Sequence, residues 1–187
     1  MGSIRGRTLL LVILLLSVTT SLLTYKSFRD ARHEIEELFD ARLAQSARLL
    51  EGMLHGNESA ATRQAMQLAL DEAAETADAD EQTTGHPYES KLSFQVLDQH
   101  GAVRLESAKA PRDALAKLLA QVGGESLDAS VNPLQALTSQ LPGFHDLTLG
   151  NYVWRVFMLH EPEKGFWILV GERDDVRGEL VQKIVFR

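Results

Sequence analysis

The side chains in this sequence best suited to chemistry are carboxylates. Glu72 and Glu75 stand three apart, and Asp78 and Asp80 follow closely. On a helix, residues three apart share a face. Such a pair can offer oxygen ligands to a hard cation, and the wider cluster from Asp71 to Glu81 also suits a cationic peptide. The competing reading is a solvated acidic face. Glu72, Glu75, Asp78 and Asp80 are therefore candidates for binding a ligand or cation, with no metal site assigned. Glu34 and Glu37 repeat the spacing. The histidines are His33, His55, His86, His100, His145 and His160. None forms a metal-spaced helical pair or sits in a catalytic signature. Each reads as a surface or turn residue, with proton sensing near neutrality as the alternative. Serine is plentiful, but no nucleophile motif with a partnered base occurs, so no catalytic residue is assigned. With no cysteine, disulfides and thiolate metal sites are excluded.

These groups must be positioned by the elements around them, and the first is the most distinctive. Thr8 to Tyr25 is an uncharged run of 18 residues, about 27 Å long as a helix, against a bilayer hydrocarbon core of about 30 Å. Arg5 and Arg7 precede it, but the small residues Thr19, Thr20 and Ser21 make a poor cleavage site and more leucine follows. An uncleaved anchor fits better than a removed signal. Basic residues flank both ends, so the positive-inside rule does not decide the orientation. The short amino-terminal tail favours an N-terminus inside. The net charge of −7 argues against nucleic acid as a partner, whose recognition starts from a basic patch.

From Lys26 to Leu54 there is no proline, and glycine appears only at Gly52. One helix is expected to run from the membrane to about Leu54. Ile35, Phe39, Leu43, Ser46, Leu50 and Met53 fall within an arc of about 80° at roughly 100° per residue. They form a narrow seam fit for a partner helix, flanked by Leu38, Leu49 and Leu54. A core-facing helix is the equal alternative. Ile35, Phe39, Leu43, Leu50 and Met53 are the candidate dimer seam. Gly52 and Gly56 are read as its end, and the stretch Gly56 to Ser59 as a turn and cap. A second helix is expected from Ala60 to about Thr76, and a loop at Thr83 to Pro87.

Five strands are then expected: Leu92–Leu97 and Ala102–Ser107 from alternation of apolar and polar residues, Leu147–Leu149 and Tyr152–Leu159 as apolar runs about a turn, and Phe166–Val170 as a buried apolar run. Short helices are expected at Ala114–Val122 and after Asn132. Gly150 and Asn151 between two apolar runs signal a hairpin. Trp154, Phe157, Phe166 and Trp167 supply the aromatic mass of the sheet, as core or as the lining of a small-ligand cavity. After Gly171 the pattern turns helical, with Val176, Leu180, Ile184 and Val185 on one face. This order predicts an α+β fold with a mainly antiparallel five-stranded sheet. The expected organisation is a tail at 1–7, a span at 8–25, a signalling helix at 26–56, a helix and acidic loop at 57–90, a core at 91–175 and an exit helix at 176–187.

Several stretches are similar to a known family. His33 to Leu50 (HEIEELFDARLAQSARLL), Phe94 to Pro111, Gly143 to His160 and the segment from Phe166 to Ile184 resemble the N-terminal region of bacterial two-component sensor histidine kinases, of the quorum-sensing and polymyxin-resistance type. The pieces ELFD at Glu37 to Asp40 and VGE at Val170 to Glu172 are the most telling. The resemblance implies a PAS-like periplasmic sensor domain, working as a homodimer at the bacterial inner membrane. It implies a second span beyond Arg187, a kinase part that uses ATP, and a response regulator as partner of that part. No cofactor is expected for this chain itself. In some kinases of that family an ExxE pair takes ferric iron. The signal would be a small ligand, a cation or a peptide. A stand-alone membrane-tethered binding or adaptor protein is the alternative.

Overall fold

The computed structural model describes residues 4–56, 58–81, 92–124 and 132–175; for Arg32 and residues 74–81 it describes the backbone. The chain divides into two units, Met1–Phe39 and Asp40–Arg187.

The described residues of the first unit are helical. They belong to α1, which runs over Ile4–Met53. The apolar run lies wholly within this helix, and no part of its most apolar window is buried by protein. Its threonine hydroxyls bond back to carbonyls of the helix itself. Thr19 Oγ1 donates to the Leu15 carbonyl at 3.0 Å, Thr20 to Leu16 at 2.8 Å and Thr24 to Thr20 at 2.9 Å. That arrangement removes the cost of a bare hydroxyl in a hydrocarbon setting.

The second unit is built on one antiparallel sheet in the order β2-β1-β5-β4-β3. Its strands are β1 (Leu92–Asp98), β2 (Val103–Glu106), β3 (Gly143–Leu149), β4 (Tyr152–Glu161) and β5 (Phe166–Arg173). The α+β expectation and the five strands hold. β5 is central and buried from Phe166 to Glu172. Its even-numbered residues Phe166, Ile168 and Val170 enter one core, with Val96 of β1, Leu105 of β2, the α1 residues Leu43 and Ala47, and Leu54 just beyond the helix. Its odd-numbered residues Trp167 and Leu169 enter the other, with Leu97, Trp154, Val156 and Met158. The second core is closed by α3 (Ala114–Gly123), through Ala114 and Leu118, and by α4 (Pro133–Ala136), through Leu134. The aromatic mass of the sheet is therefore core. Trp154, Phe166 and Trp167 are all buried, and Phe157 is packed against the first cluster.

The boundaries differ from the expected ones most clearly in four places. α2 covers Ala60–Glu81, longer than expected, so the backbone of Glu72, Glu75, Asp78 and Asp80 is helical. Gly52 lies inside α1 rather than ending it. β3 starts at Gly143, because Phe144 pairs with Phe157 and His145 with Val156. β5 continues through Gly171, which pairs with Val156 of β4 and Ser93 of β1. The loop expected at Thr83 to Pro87 and the exit helix expected from Val176 lie outside the described residues.

Capping follows the sequence signals. The Ser59 hydroxyl accepts from the Thr62 amide at 3.1 Å and starts α2, as an N-cap serine does. Asn132 accepts from the Leu134 amide at 3.0 Å and starts α4. The Asp98 carboxylate accepts from the His100 and Ala102 amides at 2.8 and 2.9 Å, closing the β1–β2 turn. Burial alone would raise the Asp98 pKa, but these amides outweigh it and hold the carboxyl below its usual range.

Candidate functional site: the polar contacts between helix α1 and strand β4

The strands alternate, so β4 sends Arg155, Phe157, Leu159 and Glu161 toward the face that carries the α1 residues. Arg155 grips Asp40 of α1 with both ends of its fork, Nε to Oδ1 at 3.2 Å and Nη2 to Oδ2 at 2.7 Å. Its remaining nitrogen, Nη1, donates to Asp146 of β3 at 3.0 Å. The guanidinium also lies 5.2 Å from the centre of the Phe144 ring, which packs on Phe157 at 4.7 Å. The hydrogen bonds to Asp40 raise the Arg155 pKa most; burial opposes them and Asp146 adds to them. The group is a permanent cation at any relevant pH.

A second contact forms at the C-terminal end of α1. Lys164, in the turn between β4 and β5, donates from Nζ to the carbonyls of Glu51 at 2.9 Å and Leu54 at 3.0 Å. These are carbonyls of the last helical turn, which lack partners within the helix and carry its negative dipole end. The Glu51 carboxyl hydrogen-bonds Glu161 of β4, and this bond raises the Glu51 pKa, with burial adding to it. The same bond lowers the pKa of Glu161. Arg48 stands 3.8 Å from Glu51. The chain leaves the helix at Gly56, whose φ is +82°. A Cβ there would meet the Lys164 carbonyl oxygen at 2.4 Å, so only glycine fits the close approach. Glu58 then accepts from the backbone amides of His55 and Gly56. Burial works to raise its pKa, but those amides bring it below the ordinary value.

The structure places the expected seam residues differently from one another. In the second unit, Leu43 is fully buried in its own core, and Leu50 packs against the same cluster. Met53 is 67% exposed, and so is the flanking Leu49 at 61%. In the first unit, Ile35 and Phe39 are half-buried and Leu38 is exposed. Helical spacing identified an apolar face, but not which neighbour covers it. Of the candidate carboxylates, Glu72 is exposed on α2. The side chains of Glu75, Asp78 and Asp80 lie outside those described, so their grouping is not placed. Among the described residues, no three His, Asp or Glu side chains gather as a metal would require.

The histidines are dispersed. His55 and His100 are exposed at turns, and His33 lies 3.3 Å from Glu37. His145 meets the Leu141 carbonyl at 2.8 Å. His160 is half-buried and stacks on Trp167 at 3.9 Å, and burial lowers its pKa. His86 lies outside the described residues. Sequence reasoning missed Asp40, Arg155 and Lys164. Their partners are 115, 113 and 110 positions apart, and no local pattern reports so distant a pairing.

Comparison with known proteins gives one match. A family model described as "Two-component sensor kinase N-terminal" matches residues 10–184. No curated protein and no solved structure matches.

Proposed function

Because the chain belongs to the two-component sensor kinase N-terminal family, we propose that it is the sensory input module of a membrane sensor histidine kinase, with its sheet domain in the periplasm. α1 begins with a run apolar enough to cross a membrane, and its later residues Leu43 and Ala47 line a core of the sheet domain. That double use of one helix is the observation that carries the reading. A signal that changes the sheet then acts on a helix leading to the membrane. Such a device works by biasing two arrangements that already exist. Two copies pair along α1, and the response regulator is the partner of the kinase part that follows. Catalysis and ATP belong to that part. The signal is a small ligand, a cation or a peptide, with the acidic stretch of α2 as its candidate contact.

Orientation is the part of this reading that can be tested directly. The chain has no cysteine, so single cysteines report cleanly. With the chain expressed in bacterial cells, Ala108→Cys in the exposed turn between β2 and α3 should react with a membrane-impermeant maleimide in intact cells. Ser3→Cys should react only after the cells are opened. The reverse pattern would overturn the proposal.

A further inference from the structure

We infer that Arg155 and Lys164 are positioning residues that make β4 the strand to which α1 is geared. The inference deepens the sensory reading and rests on it only for what the gearing conveys. The α1 contact with the sheet is in part apolar, Leu43 and Ala47 sharing a core with Val96, Ile168 and Val170. Apolar burial is non-directional and fixes neither the rotation nor the axial position of a helix sharply. The two cations do. Arg155 holds Asp40 through a planar two-point fork, a geometry that rejects both twist and slide. Lys164 holds the carbonyls of Glu51 and Leu54, about 16 to 21 Å further along the helix at ~1.5 Å per residue.

Both cations are themselves fixed from behind. Asp146 and the Phe144 ring orient the Arg155 fork. Lys164 sits in a four-residue turn bonded across from the Gly165 amide to the Glu161 carbonyl at 2.9 Å, with Gly56 pressed against its backbone. A helix attached at two separated points to one strand and its turn must follow that strand. Movement of β4, or of β3 beside it through Asp146, is thereby passed to α1 as rotation or translation.

Hydrogen exchange on the full chain in phospholipid nanodiscs tests this. Arg155→Gln should raise exchange about tenfold in the α1 amides around Asp40 to Ala44, the effect of losing one charge-assisted pair. Lys164→Gln should do the same at Leu54 and His55. Amides of β1 and β2 should keep their rates in both. Lys164→Arg, which can still donate to the two carbonyls, should restore protection at Leu54. The reciprocal exchange of Asp40→Arg with Arg155→Asp should restore it near Asp40. Unchanged α1 exchange, or an equal rise across α1 and the sheet, would overturn the inference. If Arg155→Gln does not fold, Arg155→Lys keeps the charge without the fork and should loosen the Asp40 region alone. Exchange reports the gearing whether or not the chain senses anything, and the cysteine labelling reports orientation whether or not the gearing holds.

Discussion

The Glu51–Glu161 pair shows how a single proton is placed at the junction of helix and sheet. Glu51 has its pKa raised, chiefly by the hydrogen bond to Glu161, and Glu161 has its pKa lowered by the same bond. A hydrogen bond between two carboxyls needs one proton, and that proton belongs to the pair. A raised pKa contributes stability that is fully present below the unfolded value and is lost as pH rises through the folded one. A lowered pKa contributes stability present above the unfolded value and lost as pH falls through the folded one. The pair thus favours a window around the ordinary carboxylate range and loosens toward neutrality, where two carboxylates face each other with Arg48 and Lys164 as counter-ions. Glu51→Gln supplies a donor that does not titrate. Thermal unfolding of the wild type should weaken more than that of Glu51→Gln as pH rises above the ordinary carboxylate range. Equal pH slopes would show that the proton is not shared. His160, whose pKa is lowered by burial, titrates nearby, so His160→Gln should be carried as a background in both proteins.

At the scale of elements, all five strands were legible, β1 and β4 through a period of two and β5 through a continuous apolar run, as befits a central strand covered on both faces. The ends were less legible. Gly171 read as a strand terminator by composition, yet it sits inside β5 because the neighbouring strand leaves no room. A Cβ there would meet Val156 Cγ1 at 2.9 Å. Glycine inside a strand often marks such a close approach. Gly171→Ala should accordingly cost about 1–3 kcal/mol, as overpacking does, measured by chemical denaturation; a cost near zero would mean that β4 yields easily. Edge protection was also illegible. Gln67 of α2 accepts from the Glu106 amide at 3.1 Å and donates to its carbonyl at 3.0 Å. One amide side chain thus pairs the Glu106 position on the outer edge of β2 as a neighbouring strand would, which guards that part of the edge. Nothing local to Gln67 announces that role, since its partner is 39 positions away. The same holds for Asp40, which the sequence presents merely as one acid among many in the helix.

For the whole molecule, the proposed pairing of two copies poses the question of which surface would meet the second. A charge placed at Leu43 is no test of pairing, because that side chain is fully buried and an unpaired charge there would unfold the domain. Leu49 and Met53 are better placed. They stand four apart on one face of α1 and are 61% and 67% exposed, whereas Leu43 and Ala47 share another face and are fully buried. A membrane anchor allows two copies only a parallel arrangement, so their symmetry axis runs along the membrane normal. Under such two-fold symmetry, a residue near the axis meets its own counterpart. Leu49→Cys and Met53→Cys should therefore give disulfide-linked dimers in oxidised membranes, while Ala47→Cys, enclosed within one copy, should not. The absence of a native cysteine leaves no competing bridge. Efficient crosslinking at Ala47→Cys, or none at Leu49→Cys and Met53→Cys at the same membrane density, would place the pairing surface elsewhere than on this face of α1.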